Sequence, residues 1–85
     1  MRKILYLLKD TEPAHADLIP GSPPSESEVS VILLQDGVTM TLPGVSRVYA
    51  LSDDVVTRTV TTSYPLVSYA DMLRLIFDSD VVVAL

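Results

Sequence analysis

Short, uninterrupted apolar runs recur along the chain, and most of them stop at a polar or acidic cluster. These runs occupy residues 4–8, 29–34 and 47–51, with a weaker fourth at residues 66–69. The first three end at Lys9-Asp10, Gln35-Asp36-Gly37 and Ser52-Asp53-Asp54. Runs of this length without polar alternation are typical of strands covered on both faces in a parallel sheet. The pattern predicts a single α/β domain over residues 1–85, with a mainly parallel sheet of four to five strands and two to three short helices.

The connections between these runs differ in length and composition. The first, residues 11–28, contains four prolines, so we expect at most one short helix at residues 12–19 followed by a Pro/Ser-rich loop. The second, residues 39–46, is shorter than an ordinary parallel crossover and should hold no more than one helical turn. We expect Gly37 to supply the backbone freedom for the turn that opens this connection. Ser52 is a predicted helix N-cap, although the β-branched residues of "VVTRTV" favour a strand.

The clearest helix begins at Ser68 or Tyr69 and places its apolar residues on one face. Those residues are Met72, Leu75 and Ile76, with Leu73 and Phe77 beside them. Asp71, Arg74 and Asp78 follow one another at i, i+3 and i+7, which predicts two ion pairs along the helix. The closing segment "VVVAL" at residues 81–85 is too apolar for a solvated tail. It is expected to add a strand or to pack against a partner.

The amino-acid composition of the chain excludes several classes of function. The chain has 85 residues, 48% of them hydrophobic, with one Phe and no Trp, which predicts an aliphatic core of modest size. A partner subunit would be a natural source of further burial. Eleven acids against six bases give a net charge of −5, which argues against direct nucleic-acid binding. No cysteine is present, so disulfides, thiolate metal sites and a thiol nucleophile are excluded. The first apolar run ends after five residues, too few for a secretory signal, and no run is long enough to span a membrane, so a cytoplasmic location is expected.

The candidate chemistry lies at the strand ends. Asp10, Asp36, Asp53 and Asp54 each follow a predicted strand, where parallel topology would bring them to one edge of the sheet. One interpretation is an acidic pocket for Mg²⁺, and the other is that these acids cap helices and solvate turns. His15 is the only histidine and has no catalytic neighbour at a recognisable spacing, and the chain contains neither a nucleophile elbow nor a phosphate-binding glycine motif. We therefore expect neither enzymatic activity nor a cofactor.

Three blocks of sequence, in order, resemble the DsrH/TusB family of sulfur-relay proteins. They are "LLQDGV" at residues 33–38, "RVYALSDD" at residues 47–54 and "VSYADMLRL" at residues 67–75. Together they cover about the last two-thirds of the chain. The chain departs from the family pattern in the helix after the second block, where "TRTV" keeps Arg58 but lacks the usual glycine. Its first crossover is also shorter and richer in proline.

The resemblance implies a small DsrE-like sandwich, flavodoxin-like and truncated. It further implies a non-catalytic subunit of an intracellular sulfur relay, serving tRNA wobble-uridine 2-thiolation or sulfur oxidation. In that family the persulfide is carried by cysteine on sister subunits, so DsrE/TusD-like and DsrF/TusC-like partners, or self-association, are expected. The family-matching polar positions nearest a shared pocket are Gln35, Asp36 and Arg58. The alternative is a stand-alone homo-oligomer that binds a small ligand or metal at Asp10, Asp36 and Asp53.

Overall fold

The computed structural model describes residues 2–20 and 27–85. Within them, the strands are β1 (Arg2–Leu8), β2 (Ser27–Leu33), β3 (Val48–Leu51), β4 (Leu66–Val67) and β5 (Val81–Ala84). These five strands form one sheet in the order β4-β3-β2-β1-β5, and every neighbouring pair is parallel. The predicted α/β class and parallel sheet are confirmed, and the apolar carboxyl-terminal segment supplies the fifth strand. Most of the predicted Pro/Ser-rich loop lies outside the described residues.

The long apolar runs are explained by the position of β1 and β2 in the middle of the sheet. In β2, three consecutive residues, Val31, Ile32 and Leu33, are fully buried, so both faces of this strand are covered. The edge strand β5 instead alternates between half-buried and exposed residues. The runs at residues 4–8, 29–34 and 47–51 therefore mark interior strands, as expected for parallel sheets. The equally apolar segment at residues 81–85 forms an edge strand.

The helices are α1 (Pro13–Ala16), a 3-10 helix (Gln35–Thr39), α2 (Ser52–Thr57) and α3 (Tyr69–Asp78). The first is shorter than the predicted span of residues 12–19 and has Pro13 in its first turn. Helix α2 forms despite its β-branched residues, but the predicted cap is wrong, because Leu51 is its N-cap and Ser52 is already helical. Helix α3 begins at Tyr69, one of the two predicted starts, and Ser68 is its N-cap, since Ser68 Oγ accepts a hydrogen bond of 3.1 Å from the backbone N–H of Asp71. None of the helices in the described part of the chain is long and apolar enough to cross a membrane.

The two faces of the sheet are covered unequally. On one face, α1, the 3-10 helix, α2 and their loops pack on the even-numbered residues of β1, and the fully buried residues there include Leu8 and Val31. On the other face, α3 alone supplies the helical cover, with Met72, Leu75 and Ile76 packed on Leu5 and its neighbours. This asymmetry follows from the topology, because the chain steps from β1 to β4 in one direction and then returns to β5 across the opposite face.

Only one of the two ion pairs predicted along α3 is present. Arg74 Nη1 lies 3.7 Å from Asp71 Oδ1. Asp78 does not pair with Arg74 and instead accepts a hydrogen bond of 2.8 Å from Lys3 Nζ of β1. The end of α3 is thereby bonded to the start of β1. Helical spacing does not predict this tertiary contact.

Gly37 is required for a reason other than the predicted one. Among the described glycines only Gly44 has a positive φ, of 87°, so Gly37 does not depend on glycine's conformational freedom. A Cβ atom placed on Gly37 would instead lie 2.2 Å from the carbonyl oxygen of Leu8. The 3-10 helix therefore sits directly against the end of β1, an approach that only a residue without a side chain permits.

Candidate functional site

The carboxyl ends of β1, β2 and β3 meet at one edge of the sheet, where backbone contacts hold the following segments together. Leu34 N–H donates a hydrogen bond of 3.0 Å to the carbonyl oxygen of Leu8, joining the ends of β1 and β2. Gln35 N–H donates one of 2.7 Å to Asp54 Oδ2, joining the end of β2 to the first turn of α2. This is the edge at which parallel sheets usually bind ligands.

Arg58 is the centre of the polar cluster at this edge. Its Nε donates a hydrogen bond of 3.0 Å to Asp36 Oδ1, and its Nη1 lies 3.3 Å from Asp54 Oδ1. The three predicted positions, Gln35, Asp36 and Arg58, are thus brought together, with Asp54 as the common partner of Gln35 and Arg58. We call these four residues the Arg58 cluster.

The backbone around the Arg58 cluster is strained. In the described residues, the non-glycine positions with positive φ are Gln35, at 52°, and Thr59, at 51°, which directly follows Arg58. A left-handed conformation costs a non-glycine residue about 1–2 kcal/mol. At Gln35 the hydrogen bond to Asp54 helps to hold this conformation, and the residue is exposed at the sheet edge. Strain of this kind is concentrated at functional sites, which makes the Arg58 cluster the strongest candidate in the molecule.

The charges of the cluster limit its chemistry. Two carboxylates share one guanidinium, so Arg58 is largely neutralised and the set carries a formal charge of −1. Asp36 is the more open acid, with its side chain 75% exposed, against 21% for Asp54. The cluster therefore offers hydrogen-bond acceptors and an amide to a partner, and does not provide a free cation for an anionic ligand. With no cysteine in the chain, it also holds no thiol nucleophile.

Asp10 belongs to a second, separate pair. His15 Nδ1 lies 3.0 Å from each carboxylate oxygen of Asp10, and Glu12 N–H donates a hydrogen bond of 3.2 Å to Oδ1. Hydrogen bonding to the His15 side chain is the main reason why the pKa of Asp10 is lowered from its ordinary value. The sequence did not predict this pair, since His15 has no acid neighbour at a recognisable catalytic spacing.

The strand-end acids are consequently divided between different contacts. Asp10 is paired with His15, whereas Asp36 and Asp54 hold Arg58, and Asp53 is exposed in the first turn of α2. Over residues 2–20 and 27–85, no group of three or more His, Cys, Asp or Glu side chains is arranged to hold a metal ion. The geometry therefore does not assemble Asp10, Asp36 and Asp53 into one acidic pocket.

Sequence reasoning underestimated Asp54 and missed Tyr64. Asp54 is four residues before Arg58, a spacing at which opposite charges pair on a helix, so this link was visible in the sequence. Tyr64 Oη accepts a hydrogen bond of 2.7 Å from Leu42 N–H, which anchors the loop after the 3-10 helix. No local spacing indicates that contact.

Comparison with known proteins adds no assignment to this geometry. A scan against protein-family models finds no match for the chain. A search of curated proteins also finds no significant match. The function is therefore argued from the residues and the fold.

Proposed function

We propose that this chain is a non-catalytic, cysteine-free subunit of an intracellular sulfur-relay complex, similar to DsrH/TusB proteins. The Arg58 cluster is the observation that carries the proposal. The resemblance selected the neighbours Gln35 and Asp36 and the distant Arg58. Arg58 bonds directly to Asp36, and Asp54 links Arg58 to the backbone N–H of Gln35, at the edge where parallel sheets usually bind ligands.

In this proposal the chain shapes the site without carrying sulfur. A persulfide carrier needs a thiolate, and this chain has none, so the reactive sulfur must belong to a sister subunit of the DsrE/TusD or DsrF/TusC type. The exposed oxygens of Asp36 and the amide of Gln35 offer hydrogen bonds to such a partner. The hydrogen bond from Gln35 N–H to Asp54 Oδ2 fixes the backbone from which this amide extends.

The first experiment is co-purification of the tagged chain from its host, with the recovered partners identified by mass. We expect small proteins that carry a reactive cysteine. The Asp36→Asn variant should weaken their recovery by about two- to tenfold, because it removes one charge-assisted acceptor from the site. Asp53→Asn is the matched control, since it removes an exposed strand-end acid that is not part of the Arg58 cluster.

The second experiment follows sulfur itself. The recovered partners are incubated with a cysteine desulfurase and radioactive cysteine, with and without this chain. We expect the partners to acquire a radioactive sulfur label that reductant releases. We also expect the transfer of sulfur to the partners to be slower when the chain is omitted. Recovery of no cysteine-bearing partner, or a transfer rate that does not depend on the chain, would overturn the proposal. Equal recovery by Asp36→Asn and Asp53→Asn would remove the Arg58 cluster from it.

A further inference from the structure

The outer surface of α3 exposes apolar side chains that the fold leaves uncovered. Phe77, the only Phe of the chain, is 85% exposed, and Leu73, one turn earlier, is 36% exposed. The opposite side of the helix is packed, because Met72, Leu75 and Ile76 contact the sheet. This helix therefore has one apolar side that the domain covers and a second that it does not.

An open groove of about 690 Å³ runs beside Phe77, between α3 and the strands β3 and β4. Its floor is formed by Tyr49, Val67 and Leu75. Asp71, Arg74 and Asp78 form its rim together with Phe77. An exposed aromatic side chain and an apolar groove able to receive one thus lie next to each other on the same surface.

We propose that this surface is the interface of a homodimer in which Phe77 of each copy enters the groove of the other. A two-fold axis brings the same patch of both copies together, so the patch must contain both the projecting group and its receptor. Phe77 and the adjoining groove satisfy that requirement. This inference does not depend on the proposed function, since it concerns the isolated chain.

The charges on the rim favour a second copy as the occupant. Arg74 lies 3.7 Å from Asp71 of its own helix, at the long end of ion-pair distances, and its side chain is 84% exposed. In an antiparallel pairing of two α3 helices centred near Leu73, Arg74 of each copy is level with Asp71 of the other. The rim carries both signs, so each copy presents the charge that complements its partner.

The first test is sedimentation equilibrium of the full chain from low to high micromolar concentration. We expect a reversible monomer–dimer equilibrium, weakened about ten- to a hundredfold by Phe77→Ser through loss of aromatic burial. Val56→Ser is the matched control, because Val56 is 74% exposed on α2, on the other layer of the fold. It should dimerise like the unaltered chain. Both side chains are exposed, so both variants should retain their folded circular dichroism spectra and melting temperatures.

The second test exchanges the rim charges. The double variant Asp71→Arg with Arg74→Asp keeps an opposite pair at i, i+3 and keeps the Ser68 cap, which uses the backbone N–H of residue 71. It should dimerise with itself. In a mixture with the isotope-labelled, unaltered chain, hybrid dimers should fall well below the statistical half in native mass spectra, because like charges then face each other at the rim.

Three results would overturn the inference. The first is a chain that remains monomeric at high micromolar concentration, and the second is a Phe77→Ser variant that dimerises as well as Val56→Ser. The third is formation of hybrid dimers at the statistical share. A monomeric chain whose Phe77→Ser variant loses a co-purifying protein would assign this surface to a different partner and would equally refute the homodimer.

Discussion

Replacing Gly37 by Ala tests the close approach of the 3-10 helix to the end of β1. The added Cβ would lie 2.2 Å from the carbonyl oxygen of Leu8 and 3.0 Å from its carbonyl carbon. Both are backbone atoms of Leu8 in β1, and the same oxygen accepts the hydrogen bond from Leu34 N–H. The clash cannot be relieved by rotating a side chain, so the 3-10 helix must move away from β1.

The expected cost is at the upper end of that for overpacking, about 2–3 kcal/mol. A domain of this length has a total stability of about 4–13 kcal/mol, and each kcal/mol shifts its melting temperature by about 4–8 °C. Gly37→Ala should therefore lower the melting temperature by roughly 8–24 °C, measured by circular dichroism, with urea denaturation giving the free energy of unfolding.

Gly44→Ala is the matched control for this prediction. No atom lies within 4 Å of the Cβ position at Gly44, but its φ of 87° is unfavourable for alanine, so a cost of about 1 kcal/mol is expected. Gly37→Ala should thus be clearly less stable than Gly44→Ala. If the free energy of unfolding of Gly37→Ala lies within about 0.5 kcal/mol of that of the unaltered chain, the close packing of the 3-10 helix on β1 is refuted.

Three further predictions concern single hydrogen bonds. Ser68→Ala should destabilise the chain by about 1 kcal/mol in urea denaturation, since it removes the N-cap of α3, whereas Ser68→Asp should retain most of the stability. Tyr64→Phe should cost about 1–2 kcal/mol by leaving the N–H of Leu42 without its acceptor, and an unchanged urea midpoint would contradict the contact. Because the pKa of Asp10 is lowered in the folded state, chiefly by His15, its stabilising contribution is present above its ordinary pKa of 3.8 and is lost as the pH falls through the folded value. The stability difference between the unaltered chain and His15→Ala should therefore shrink below about pH 4 in a urea series, and a difference that grows there would reverse the assigned sign.

The elements predicted most reliably from the sequence are those whose pattern has a single physical explanation. The continuous apolar runs predicted the parallel strands, because strands inside a parallel sheet are covered on both faces. The apolar spacing predicted a helix that begins at Ser68 or Tyr69, and α3 begins at Tyr69 with Ser68 as its N-cap. In contrast, Ser52 has the right residue type but lies inside α2, where the chain enters the helix directly from β3.

Tertiary contacts account for the features that the sequence did not predict. The spacing along α3 favoured an ion pair between Arg74 and Asp78. Asp78 instead pairs with Lys3 of β1, 75 residues away in the sequence. Gly37 has the residue type expected of a turn, yet what excludes a side chain there is the end of β1. In both cases the deciding neighbour belongs to β1, an interior strand whose position is set by the order of the strands.

The Arg58 cluster contains one contact that the local sequence indicates and one that depends on the tertiary structure. The pair of Arg58 with Asp54 is local to α2, at a spacing visible in the sequence, whereas its contact with Asp36 joins residues 22 positions apart. Parallel pairing of β2 with β3 brings the two segments to the same edge of the sheet. The proposed dimer surface on α3 lies on the opposite layer, so the same topology that gathers the Arg58 cluster also separates it from that surface. The two proposals are therefore compatible, because the α3 surface and the Arg58 cluster share no residue.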